Sequence, residues 1–340
     1  MFRIIKITVF ACLISVLSLS GNAFAQDAAP QSFVVIAGAG SLGQVDVMDF
    51  APHTLKIHRG DTVTWFMAGF HNVDFNTQPQ PLVIAPEVDG KPTPQLNPAA
   101  VYPNIPDKGV YTGGVASSGL PVIPNASPTF TLTFDVAPGT YNYYCDVHPG
   151  MMGEIVVVPD DQPIPSPTEA STQGLMELGK NISDGTAAFD QALTASQDQM
   201  TAGADGATVQ MGKMVGLVSL DAFFPYTVTI QAGQSVTWTM EDHTMELHTV
   251  TSLPLPSDEE EFLPQAPQGN NPPAILLRPV AAPSTPSGST IHAGDTFNSG
   301  LMMMGKSYTL TFADPGVYPY GCFLHDGMLG VVVVLPATNS

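Results

Sequence analysis

Two long segments of this chain occur twice, and that duplication limits the fold more than any other feature. GTYNYYCDVHPGMMGEIVVV, residues 139–158, lies over GVYPYGCFLHDGMLGVVVVL, residues 316–335, at an offset of 177, with two tyrosines, the Cys, the His, the Met after it and three glycines identical. Upstream, FAPHTLKIHRGDTVTW (50–65) lies over FFPYTVTIQAGQSVTW (223–238) at an offset of 173. Four residues inserted before His248 reconcile the offsets, and they place His71, in FHNVDF, over His248, in LHTVTS. The spacing from this histidine to the cysteine is then 74 residues in both halves. A repeat of this length means one domain made twice, and 340 residues are enough for two full hydrophobic cores.

Each half reads as all-β. Leu55 and Ile57, Val63 and Trp65, then Phe130, Leu132 and Phe134 alternate with polar residues, the period of a strand with one buried face. Val228 and Ile230, Val236 and Trp238, then Tyr308, Leu310 and Phe312 repeat the pattern. Two tandem Greek-key β-sandwiches are predicted, over 31–159 and 206–337. Residues 160–205 differ: a Pro-rich opening leads to Leu175, Met176, Leu178, Ile182, Phe189 and Leu193 at near-helical spacing, interrupted at Ser183-Asp184-Gly185. This predicts a linker with one or two short helices. A long Pro-rich loop follows the upstream histidine in each half, roughly 75–115 and 252–295. Loops of such length are tolerated surface excursions or covers over something.

The first 25 residues read as a signal peptide. Arg3 and Lys6 precede VFACLISVLSL, too short to span a bilayer, and Ala23-Phe24-Ala25 offers a small-x-small cleavage site before Gln26. Export to the periplasm or the extracellular space is expected, with no membrane insertion once the signal is removed. Arg3 and Lys6 leave with it, which takes the 10 Lys and Arg to 8 against 30 Asp and Glu, a net of −22. Such a chain repels nucleic acid and anionic lipid; it attracts partners with a basic surface, if its charge serves more than solubility. The run Asp258-Glu259-Glu260-Glu261 is a solvated loop or a steering patch.

Cys145 and Cys322 remain after cleavage, and in an exported chain an even count suggests a disulfide. A disulfide would join one position of the repeat to itself and leave four histidines and two methionines unexplained. A thiolate, two imidazoles and a weak thioether instead make a blue copper site, with Cys and two His in a plane and Met on the axis. C-x-x-H-x-x-M delivers three of these ligands from one tight loop. Tyr141, Tyr143 and Cys145 share strand parity, which carries the cysteine inward beside a metal. Zinc accepts Cys and His, but a thioether is a poor zinc ligand. The repeat selects among the eight histidines: His53, His58, His243 and His292 do not recur. His71, Cys145, His148 and Met151 form one ligand set; His248, Cys322, His325 and Met328 form the other. Met152 lies over Leu329 and is left as a packing residue.

Both halves resemble cupredoxins, the family of plastocyanin, azurin and amicyanin. CDVHPGM has the C-x-x-H-x-x-M spacing of amicyanin, and F-x-P, GDTVTW, FHNV, SSGL, LTF and PGTYNYYC extend the likeness through most of 45–158 and, less closely, 218–335. The resemblance implies an electron carrier with two type 1 coppers, a cytochrome-like redox partner, and an exposed loop histidine, His148 or His325, as electron port. It also implies that Asn72 ties its strand to the cysteine loop. With Thr249 in its place and Glu241, Asp242, Glu246 and Asp326 near the ligands, the second site is expected to have the lower potential. Cupredoxin pairs also build nitrite reductases and small laccases, but there histidines flank the type 1 cysteine. Here the neighbours are Tyr144 and Asp146, and Gly321 and Phe323, so a catalyst is not expected. Met240, Met245, Met302, Met303 and Met304, with His243, leave copper sequestration or delivery as the alternative, against an apolar docking rim.

Overall fold

The computed structural model describes residues 29–41, 44–88, 90–123, 125–244, 246–255, 262–265, 272–277 and 281–337. The predicted signal segment, Met245 and the acidic run at 258–261 lie outside the described residues. The alternating segments are strands. The first half contributes β1 (Ser32–Ser41), β2 (Val45–Ala51), β3 (Thr54–His58), β4 (Thr62–Met67), β5 (Thr129–Phe134), β6 (Gly139–Tyr144) and β7 (Met152–Val158). The second contributes β8 (Ala207–Val215), β9 (Val218–Phe224), β10 (Thr227–Gln231), β11 (Ser235–Thr239), β12 (Ser307–Phe312), β13 (Gly316–Gly321) and β14 (Leu329–Leu335). In the first half β5-β4-β1-β2 face β6-β7-β3; in the second β12-β11-β8-β9 face β13-β14-β10. Inward side chains of the two layers fill one core per half, as the alternation requires. Trp65 is fully buried and meets Tyr143 edge-on at 5.3 Å; Trp238 meets Tyr320 at 5.2 Å.

The halves are not beads on a linker. β2 pairs antiparallel with β9 through Val45 with Leu220, Asp46 with Ser219 and Val47 with Val218. In the repeat Val45 corresponds to Val218 and Val47 to Leu220, so the contact is self-complementary, like the isologous contact of a two-fold dimer. It merges two sheets into one of ten strands.

The linker corrects the expectation of one or two short helices. Pro167–Ser196 is a single helix of 30 residues, begun by a capping box in which Ser166 and Glu169 bond reciprocally, with Pro167 in its first turn. It lies over the seam and buries Leu178, with Ile182, Phe189 and Leu193 partly buried beside it, against Val45, Val47, Val218 and Leu220. Gly185, which suggested a break, allows contact: a Cβ there would sit 2.6 Å from Val218 Cγ1 and 2.8 Å from Val45 Cγ1. Among the described residues no helix is long and apolar enough to cross a membrane.

The Pro-rich loops are covers. Val83–Ile84 and Gln95–Leu96 of the first join Phe262–Pro264 and Ile275–Leu277 of the second in a four-stranded sheet. Leu276 pairs with Gln95, and the Tyr102 hydroxyl donates to Pro273 O at 2.6 Å. Leu96, Ala100, Val101, Leu120 and Ile275 bury a small core shared by both halves.

Two helix glycines separate propensity from packing. Gly179 has open space around its Cβ position, so Gly179→Ala should stabilise the protein by about 0.5–1 kcal/mol. Gly185→Ala gains the same propensity but overpacks the seam and should destabilise by about 1–3 kcal/mol. Denaturant unfolding of the two variants measures both signs.

Candidate metal centres

The cysteines end β6 and β13 on the inward parity of Tyr143 and Tyr320, and both are buried free thiols. Each loop after the cysteine closes on itself. Cys145 N–H donates to Met151 O at 3.0 Å and Met151 N–H to His148 O at 3.0 Å; in the second half the corresponding distances are 2.9 and 3.2 Å. Gly150 and Gly327, at φ of 103° and 86°, make the turn that L side chains resist. The segments carrying the upstream histidines are tied down by serines that follow the covering loops: Ser118 Oγ accepts Val73 N–H at 2.9 Å, and Ser299 Oγ accepts Val250 N–H at 2.8 Å. Met302 N–H also donates to His248 O at 2.8 Å, which gives the first methionine of that triplet a backbone task.

These elements bring the predicted residues together. Cys145 Sγ lies 3.5 Å from His148 Nδ1 and 3.9 Å from His71 Nδ1, and the imidazoles stand edge to face at 4.7 Å. Cys322 Sγ lies 3.4 Å from His325 Nδ1 and 3.8 Å from His248 Nδ1, with the rings at 4.8 Å. Met151 and Met328 are buried at the end of their loops, whereas Met152 is half-buried and Leu329 is exposed. The four other histidines lie elsewhere: His53 contacts Asp49, His58 meets Gln162 O, and His243 and His292 are largely exposed.

The donor chemistry fits copper. In each half a sulfur and two Nδ1 atoms converge in a largely buried cluster, with a thioether in the same loop. Burial pushes both thiols up, but the imidazoles outweigh it and hold Cys145 and Cys322 well below the usual thiol range. A thiolate is the form that binds a metal.

Sequence reasoning missed two glycines that seat the upstream histidines. β1 and β8 each bulge, at Gly38 and Gly212, with φ of 75° and 61°. A Cβ at either would fall on Nε2 of His71 or His248, and those two nitrogens are buried without a hydrogen-bond partner. The available signal was a glycine inside a strand, which marks a bulge or a close approach.

Around the ligands one expectation holds and two change. Asn72 does tie its strand to the cysteine loop: its Nδ2 donates to Asp146 Oδ2 and its Oδ1 accepts Asp146 N–H, both at 2.7 Å. Thr249 does the same work, accepting Phe323 N–H on Oγ1 at 2.8 Å while its own N–H points at Cys322 Sγ, 3.3 Å away. The first site carries buried acids of its own. Asp146 is 4% exposed, and burial, with Asp146 beside it, pushes Asp74 up to about 7. Glu246 belongs to both sites. Acids therefore lie near both sites, and charge alone does not set the second potential below the first. Nor is either loop histidine an open port: the His148 side chain is 4% exposed and that of His325 17%, because the halves and their covering loops close over them.

The family comparison agrees with this chemistry. Residues 39–158 match the copper binding proteins of the plastocyanin/azurin family. Similar solved structures include amicyanin from Paracoccus versutus (Thiobacillus versutus), at 22% identity over 39% of this chain and 85% of that one, with a TM-score of 0.23. A reduced-state amicyanin mutant shows 20% identity over 39% of this chain and 86% of its own, with a TM-score of 0.22. No curated protein sequence matches. The chain is cupredoxin-like over residues 39–158, the stretch that matches the copper binding proteins of the plastocyanin/azurin family.

Proposed function

We propose that this is an exported electron-transfer protein holding two type 1 coppers, one by His71, Cys145, His148 and Met151, the other by His248, Cys322, His325 and Met328. The observation that carries the reading is the near-identity of the two buried donor clusters, whose sulfur-to-nitrogen distances are 3.5 and 3.9 Å in one and 3.4 and 3.8 Å in the other. Copper so held supplies a one-electron couple. The chain supplies the scaffold: the bulge glycines, the closed loops and the two serines position the ligand residues. Neither cysteine has a histidine neighbour to lead electrons to a further catalytic copper, which favours a carrier over an oxidase or reductase. The N-terminal segment supports export, and the acidic balance favours a redox partner with a basic surface. Copper delivery is the second reading, favoured by Met303 and Met304, 58% and 41% exposed beside a groove that reaches Leu247 and Glu246. Fast, reversible redox cycling with the metal retained marks a carrier; ready loss of copper to a chelator marks delivery.

Copper-loaded protein should carry two coppers per chain, and Cys145→Ser and Cys322→Ser should each remove about half of the thiolate-to-copper absorption. Cysteines that titrate as one disulfide in the metal-free protein would sink the assignment. Gly38→Ala should weaken copper binding at the first site and leave the second intact, and Gly212→Ala should do the reverse; metal titration of each variant decides. Met151→Leu should raise the potential of the first site because a donor is lost, while Met152→Leu leaves it nearly unchanged. Spectroelectrochemistry of both variants in a Cys322→Ser background reads the difference.

A further inference from the structure

Because Nδ1 of each loop histidine faces its sulfur, Nε2 of each faces away from the donor cluster. In this chain those two outward nitrogens meet one carboxylate. His148 Nε2 lies 3.3 Å from Glu246 Oε1, and His325 Nε2 lies 3.4 Å from Glu246 Oε2. Glu246 is 8% exposed. It sits on the segment between Trp238 and His248, four residues longer than the matching segment between Trp65 and His71. The three side chains line a cavity of about 310 Å³ together with Asp46 at the seam and Leu82, Leu247 and Leu277 from the covering elements.

A carboxylate in such apolar surroundings is costly unless its oxygens are satisfied. Two imidazole Nε2 atoms, one beside each oxygen, are placed to satisfy them. We propose that Glu246 is a positioning residue that joins the two metal centres: it accepts the Nε2–H of both His148 and His325, fixes both rings, and completes a route for electrons between the halves inside the molecule. This rests on the two-copper reading. In the exchange one electron leaves one centre, which is oxidised, and enters the other, which is reduced. Each Nε2 keeps its proton, so no co-reactant is needed.

Nitrogen-15-edited NMR of the full chain, metal-free and loaded with Cu(I), should show two slowly exchanging, downfield imidazole Nε2–H protons, from His148 and His325. Glu246→Gln, which offers one acceptor oxygen where two are needed, should shift or remove at least one of them. In half-reduced protein, flash photolysis should find an intersite exchange rate independent of protein concentration, and Glu246→Gln should lower it about 10–100-fold, the scale on which partners of metal ligands act. Wild-type protein without the two protons overturns the proposal, with no variant needed. An exchange rate in Glu246→Gln within about twofold of wild type also overturns it. So does a third equivalent of copper or Zn(II) that binds and abolishes both signals, since Asp221, Glu246 and His325 also lie close enough to hold a cation. A copper count below two in wild type would instead break the underlying reading, while the metal-free spectrum still tests the bridge.

Discussion

The pairing of β2 with β9 decides where everything else in this molecule sits. Edge strands expose unpaired N–H and C=O groups, and a duplicated sandwich has two equivalent edges to protect. Pairing them with each other satisfies both. Because the contact is self-complementary, corresponding features of the halves are brought to two-fold-related positions, and the metal loops of both turn toward the seam. The long helix then covers one side of the joint, with Gly185 against Val45 and Val218, and the Pro-rich loops cover the other. The same geometry that pairs the edges places His148 and His325 on either side of one glutamate.

Electrostatics at the seam distinguishes three buried carboxyls. Burial pushes Asp46 up, with His71 the main opposing influence. Burial also raises Asp221, to about 6, although His325 opposes it. Glu246 is buried too, yet the His148 and His325 imidazoles outweigh that burial and hold its carboxyl well below the usual range. The carboxyl that touches both imidazoles is the one that keeps its charge most firmly. An acid placed there for solubility would have no reason to be dry.

The sequence made the two donor clusters legible because they are local. Three donors come from one loop, and the fourth sits at a fixed spacing that the repeat displays twice. Tyr143 and Cys145 showed their inward parity because β6 has one buried face. The seam was harder to see. β9 is buried along its whole length, so VSLDAFF has no period, and Ser219 and Asp221 disguise it further. The helix appeared broken because Gly185 is a poor helix former, and its compensation, contact with two valines, lies in residues distant in sequence. Glu246 read as one more charge near the second site. Its meaning depends on how two rigid domains are oriented, which no local pattern encodes.

Duplication left the two halves alike in one respect and different in another. The distances from sulfur to the two imidazole nitrogens agree to 0.1 Å between the halves, as do the ring separations. The surroundings diverged: Asn72 with a buried Asp146 in one half, Thr249 with Phe323 and an N–H aimed at the thiolate in the other. Ligand geometry governs whether a metal is held, and outer contacts govern the energy at which it exchanges an electron. Conserved cages in altered surroundings are what a protein needs if both of its centres must hold the same metal and an electron is to prefer one of them.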